Sequence, residues 1–176
     1  MKLFKKLMAV ALASVMALTL LAGCATPVNK NELVNIMNDS KVYERYGIKT
    51  VEEGSNALAK EVAQKAKTYV ENHNNSTADA AFIYARSASN DIAGIRSIVP
   101  KDTEDAYYLA YTRVTKLQSE EYKSNPAMLA MQGLRSLYNL NDVNKAKLGD
   151  KAVASITTQK IGDYDYMIVV LVQAKK

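Results

Sequence analysis

Reactive side chains are scarce in this chain of 176 residues, which holds one histidine, His73, and one cysteine, Cys24. Nucleophilic catalysis of the Ser-His-Asp or Cys-His type needs a base beside the nucleophile, so His73 would have to serve any such site. It stands in His73-Asn74-Asn75-Ser76 at the end of a helical stretch. An imidazole there meets the last helix carbonyls, and that capping role accounts for it. One histidine excludes a His-pair zinc site within the chain, and one cysteine excludes an internal disulfide or a thiolate cluster. No Ser-x-x-Lys motif occurs, and the 7 glycines are scattered singly, so there is no phosphate-cradling glycine loop.

Carboxylates are more plentiful, in the clusters Glu52-Glu53, Asp102/Glu104/Asp105, Glu120-Glu121 and Asp163/Asp165. Glycan hydrolysis needs two of them facing each other across a gap of roughly 5–10 Å. Each cluster also has a plain reading: helix N-terminal charge for the first two, a solvated face for the third and turn chemistry for the last. The Asp163-Tyr164-Asp165 spacing offers oxygens to calcium, but a loop of the EF-hand type needs more of them and a closing glutamate. Neither a metal, nor a cofactor, nor a catalytic residue is expected from these residue types.

Tyrosine stands out, with 11 residues against 2 phenylalanines and no tryptophan. Helical spacing predicts Tyr107, Tyr108 and Tyr111 on one helix, with Tyr164 and Tyr166 beside a hairpin turn. Such residues pack at the edge of a core with the hydroxyl wet. They also make a recognition surface for glycan, peptide or protein, because they offer large contact area at low entropy cost. These five are the candidate ligand or partner surface.

Charge narrows the partners further. The net charge is +5, from 23 basic against 18 acidic residues. Met1–Gly23 carries three of the lysines and no acid, which leaves 20 against 18 and a net charge of +2. That balance, without a basic stripe, gives no electrostatic footprint for nucleic acid.

The elements that must position these residues read as follows. Leu33, Ile36 and Met37 predict a short first helix, with Gly47 closing the segment after Tyr43 and Tyr46. Ser55 or Asn56 caps a second helix whose buried face is Leu58, Val62, Ala66, Tyr69 and Val70. Ala81, Ala85, Ala88, Ile92 and Ile95 follow a helical spacing, with a strand through Ala81–Ala85 as the alternative. Asp102-Thr103-Glu104-Asp105 predicts the cap of a helix running to about Tyr122, with Tyr107, Ala110, Tyr111, Val114 and Leu117 as its stripe. Pro126 opens another helix with Met128, Leu129, Met131, Leu134 and Leu137 on its face, closed by Asn139–Asp142. Period-two alternation from Val153 to Thr158 and the apolar run Met167–Val172, joined by a turn at Ile161–Asp165, predict a hairpin whose last strand is buried on both faces. The fold class is α+β, with four to five helices packed on a small C-terminal antiparallel sheet. A mostly helical bundle with a C-terminal β-hairpin is the alternative. No internal repeat or low-complexity tract interrupts a single domain over residues 31–176.

Residues 1–24 carry an address. Lys2, Lys5 and Lys6 precede the apolar run Leu7–Ala22, which is shorter than the ~20 residues of a permanent membrane span. The tetrad Leu21-Ala22-Gly23-Cys24 resembles the lipobox of bacterial lipoproteins. The resemblance implies that residues 1–23 are a signal peptide cleaved before Cys24 and that the cysteine sulfur carries lipid such as palmitate. Residues 24–30 then form the lipidated cysteine and a tether of at most ~20 Å, which keeps the domain near the headgroups. Two segments, Tyr46-Gly47-Ile48-Lys49 with Leu58-Ala59-Lys60-Glu61-Val62-Ala63, and Tyr164–Val172, resemble the second helix and last strand of secreted CAP domains. The cleft histidines and Glu-Asn motif of that family have no counterpart here, so the resemblance implies a degenerate member without its metal site.

The expected protein is therefore a cell-envelope lipoprotein, anchored on the extracytoplasmic face of a bacterial membrane through Cys24. Its expected role is non-enzymatic binding or assembly, toward an envelope protein or wall glycan. A carboxylate-based cell-wall hydrolase or a degenerate CAP-like domain is the alternative.

Overall fold

A computed structural model describes residues 28–114 and 126–176. The leader, Cys24, most of the tether, and Leu117 and Glu120-Glu121 lie outside the described residues. The first helix, α1 (Lys30–Asp39), opens on Asn29, whose side-chain oxygen accepts from the Asn31 and Glu32 N–H groups at 3.0 and 3.4 Å. It buries Leu33, Val34 and Met37. Asn38 near its end pairs with Val51 of the edge strand β1 (Thr50–Glu53): the amide nitrogen donates to the Val51 carbonyl (3.0 Å) and the amide oxygen accepts from its N–H (2.7 Å). This side chain closes part of an edge that would otherwise offer unpaired backbone.

Helix α2 (Ala57–Asn72) buries Val62, Ala66, Tyr69 and Val70 of the predicted face together with Ala59 and Ala63, while Leu58 is only partly buried. A short α3 (Asp79–Tyr84) follows, then single 3₁₀ turns at Ala88–Asn90 and Ile95–Ile98. Strand β2 (Ala106–Arg113), helix α4 (Pro126–Gly133), the two-residue β3 (Tyr138–Asn139) and the long hairpin β4 (Leu148–Ile161) and β5 (Tyr164–Lys175) complete the chain. The sheet order is β1-β4-β5-β2-β3, with β1 parallel to β4 and the remaining pairs antiparallel. The side chains divide by alternation. Tyr108, Ala110, Ala152, Ala154, Ile156, Met167, Val169 and Leu171 pack with α1 and α4. Tyr107, Leu109, Ile161, Tyr166, Ile168 and Val170 pack with α2 and α3. Helices thus cover both faces of one mixed sheet.

The class is α+β, but the expected balance is corrected. The sheet is the larger part of the fold, five-stranded and mixed, where a small C-terminal antiparallel sheet under four to five helices was expected, and the helical-bundle alternative falls with it. The main cause is β2, which reads as a helix in sequence. Residues 106–110 are all buried, because β5 flanks the strand and helices lie on both sides. A strand with no solvent face has no period of two, so Tyr107, Ala110, Tyr111 and Val114 fit a helical stripe by accident. The acidic segment before it does not cap a helix either. Thr103 Oγ1 accepts from the Asp105 N–H (3.1 Å), and Asp105 Oδ1 accepts from the Lys175 N–H (2.9 Å), tying off the end of the β2–β5 pair. Strand β1 is also new: its four residues are too short to show a pattern.

Other differences are local. The helical spacing of Ala81–Ile95 yields only six residues of α-helix before the chain breaks into 3₁₀ turns. Helix α4 stops at Gly133, so Leu134 and Leu137 are buried beyond its end, and Met128 is exposed. An added Cβ at Gly133 would meet Thr112 Oγ1 at 2.1 Å, so glycine lets the helix approach β2. The C-terminal hairpin is present as read, turning at Gly162 (φ +61°) and Asp163.

Candidate functional site

The tyrosines do not assemble into one surface. Strand β2 directs Tyr107 and Tyr111 to the α2/α3 face and Tyr108 to the opposite one, where its hydroxyl donates to Gln173 Oε1 (3.0 Å). Tyr166 is fully buried and Tyr164 half-buried. Tyr111 stacks on Phe82 (centroids 4.4 Å) and approaches Tyr138 (5.9 Å). Burial raises the pKa of the Tyr107, Tyr108, Tyr111 and Tyr166 hydroxyls above the ordinary phenol value, because a phenolate has no water to solvate it there. These rings act first as packing.

At the turn end of the hairpin they join a closed network. Arg113 pairs through Nη2 with Asp79 Oδ2, with Nε 3.3 Å from Oδ1, and its guanidinium lies 4.2 Å over the Tyr164 ring. The Tyr166 hydroxyl donates to Asp79 Oδ1 (3.0 Å) and accepts from the Ala78 N–H (3.1 Å). Thr77 Oγ1 accepts from Arg113 Nη2 (3.3 Å) and from the Asp79 N–H (3.1 Å). Gly162 sits so close that an added Cβ would meet the Ser76 carbonyl oxygen at 2.3 Å, and Asp163 donates its N–H to that oxygen (2.9 Å). Each polar group here answers another within the protein, which is the pattern of a structural lock.

The remaining sequence candidates are dispersed. His73 Nδ1 lies 2.9 Å from the Tyr69 carbonyl oxygen and its ring stacks on Tyr69 (4.3 Å), so the imidazole caps α2 as read. Glu52 pairs with Lys151 on the surface, Glu104 with Lys175, and the Asp105 carboxylate is taken by the Lys175 N–H. Among the described residues no group of three or more His, Cys, Asp or Glu comes together.

The region where charge and space converge lies elsewhere, where the segment after α3 meets β3. A groove of about 430 Å³ is lined there by Tyr46, Arg86, Arg96, Tyr138, Asp142 and Lys145, among others. Arg96 is held from behind: Nη1 donates to the carbonyls of Ala85 (3.3 Å), Arg86 (3.3 Å) and Asn139 (3.4 Å). The backbone around it is pinned by Asp91, whose carboxylate accepts from the Ile95 (2.9 Å) and Arg96 (2.7 Å) N–H groups. The Arg86 guanidinium lies 4.6 Å over the Tyr138 ring. Among the described residues no carboxylate lies within ion-pairing distance of Arg86, Arg96 or Lys145.

No protein-family model, curated protein or solved structure matches the chain. The site must therefore be read from its own chemistry. Three cations and one carboxylate, Asp142, line an open polar groove, an arrangement whose excess of positive charge suits an anion. Sequence reasoning missed it. Arg86, Arg96 and Lys145 are up to 59 positions apart and stand in no motif. The pairing of β3 with β2 is what sets Tyr138 and Asn139 beside the arginines.

Proposed function

We propose that this chain is a lipid-anchored cell-envelope lipoprotein whose domain binds a partner at the membrane surface without catalysing a reaction. The carrying observation is Cys24, which follows Leu21-Ala22-Gly23 at the end of a basic and apolar leader and has no other cysteine to pair with. The leader delivers the chain outward, lipid on the sulfur holds it, and the tether keeps the groove close to the headgroups. Partners of that place are an envelope protein or a wall glycan. The binding role draws support from the groove with its unpaired cations, and from the structural use of the residues that would otherwise suggest chemistry. His73 caps a helix and Asp79 belongs to a closed network.

In-cell crosslinking of the full-length protein, with a Cys24→Ala strain as the unanchored control, tests the reading. A discrete envelope partner or wall polymer captured by the parent and lost in the control is expected, together with palmitate labelling of the parent only. An unlabelled parent that stays out of the membrane fraction would end the anchoring claim. No helix among the described residues is long and apolar enough to cross a membrane.

A further inference from the structure

We propose that the groove between Arg86, Arg96, Tyr138 and Lys145 is a phosphate-binding site, an inference that rests on the reading of the domain as a binding module. An arginine presents five N–H donors in a planar fork. In Arg96 the bonds to three carbonyls gather on Nη1, so this nitrogen fixes the guanidinium while Nε and Nη2 have no protein partner among the described residues. Carbonyl oxygens orient the group without cancelling its charge. The nearest acid in sequence, Asp91, turns its oxygens to the backbone N–H groups of Ile95 and Arg96 and makes no ion pair with the guanidinium.

Arg86 is prepared in a second way, by the face of Tyr138 beneath it. Both guanidiniums are thus placed before any ligand arrives, which lowers the entropy cost of binding. Lys145, exposed and lining the same groove, adds a third donor. Elsewhere the protein answers several of its exposed cations with acids: Lys41 with Glu44, Lys49 with Asp150, Lys151 with Glu52 and Lys175 with Glu104. Two oriented forks and an ammonium around one open space match the several oxygens and the charge of a phosphate. Such a phosphate has two sources near an anchored domain, a phospholipid headgroup or a soluble phosphate ester.

The test titrates the full chain in neutral detergent with inorganic phosphate, following heat or chemical-shift change. The parent is compared with Arg86→Gln/Lys145→Gln and with a charge-matched control, Lys60→Gln/Lys160→Gln, two exposed lysines outside the groove. Saturable binding by the parent, weakened at least tenfold in the groove variant and unchanged in the control, is expected. Competition then separates the sources: displacement of phosphate by phosphatidylglycerol vesicles but not by phosphatidylcholine vesicles assigns the headgroup. Displacement by glycerol phosphate alone assigns a soluble ester. No saturation in the parent, or an equal loss in the control, overturns the site. Should the double variant fail to unfold cooperatively, Lys145→Glu on the exposed rim serves instead, with the same tenfold loss expected. Loss of phosphate binding leaves anchoring untouched, and loss of palmitate labelling leaves the phosphate titration untouched, so the two claims fail separately.

Discussion

Arg113 and Arg96 are both partly covered guanidiniums at the ends of the sheet, and they are treated in opposite ways. Arg113 meets a carboxylate, a hydroxyl and an aromatic face, and its carboxylate partner is itself bonded to Tyr166. Arg96 meets only carbonyls and turns toward an open groove shared with Arg86 and Lys145. A charge answered inside the protein can stabilise the fold, whereas a charge held in place but left unanswered is available to a ligand. The same contrast runs through the backbone. Gly162 and Gly94 both adopt left-handed conformations, at φ +61° and +65°, yet a Cβ at Gly162 would strike the Ser76 carbonyl and one at Gly94 would meet nothing within 4 Å. One end is packed shut and the other has room.

Substitutions that cross this divide sharpen it. The largest effect is expected from Gly162→Ala, where left-handed strain adds to a backbone clash. A loss on the order of 3 kcal/mol in urea unfolding is expected, against about 1 kcal/mol for Gly94→Ala, which carries the strain alone. Equal losses would break the comparison. Asp79→Ala leaves Arg113 and the Tyr166 hydroxyl without their acceptor. Because the pair is partly exposed, about 2 kcal/mol is expected, below the range for fully buried pairs, with Tm as the readout. Tyr166→Phe removes the acceptor of the Ala78 N–H and one donor to Asp79, and about 1–2 kcal/mol should be lost.

Alkaline pH probes the closed end without mutation. Burial raises the pKa of the Tyr166 hydroxyl in the folded protein. The folded state then holds its proton where the unfolded state has released it, so stability is fully present below about pH 10, the unfolded phenol value, and declines as pH rises past it. Phenolate absorbance followed during thermal scans should show Tm falling above that pH. The smallest effect belongs to the open end: Arg86→Gln/Lys145→Gln is expected to change stability by less than about 0.5 kcal/mol while phosphate binding is lost. A large destabilisation there would return the groove to a structural role.

Legibility in the sequence followed local signals. Helix α2 was legible because its wet side let burial write a period into the residues, with Val62, Ala66, Tyr69 and Val70 on the buried face. The C-terminal hairpin was legible from its β-branched and apolar runs on either side of the Gly162-Asp163 turn, although residues 154–157 are buried without alternation. Strand β2 was not, since residues 106–110 are buried on both faces and an unbroken apolar run has no period to read. The His73 cap was legible because its partner, Tyr69, is four residues away. The groove was not, because Asn139 lies 43 positions from Arg96.

By itself the sequence determined what is local or compositional: the lipobox-like tetrad at Cys24, the near-neutral charge beyond Gly23, the scarcity of catalytic side chains, helix α2 with its clear period, and the C-terminal hairpin about its turn. Only the tertiary structure decided that the sheet is the larger part, that Tyr108 faces away from Tyr107 and Tyr111, and which arginines are answered. The physical reason is that pairing across a sheet joins residues far apart in the chain. Neither a buried strand's neighbours nor a cation's missing partner leaves a mark in local spacing.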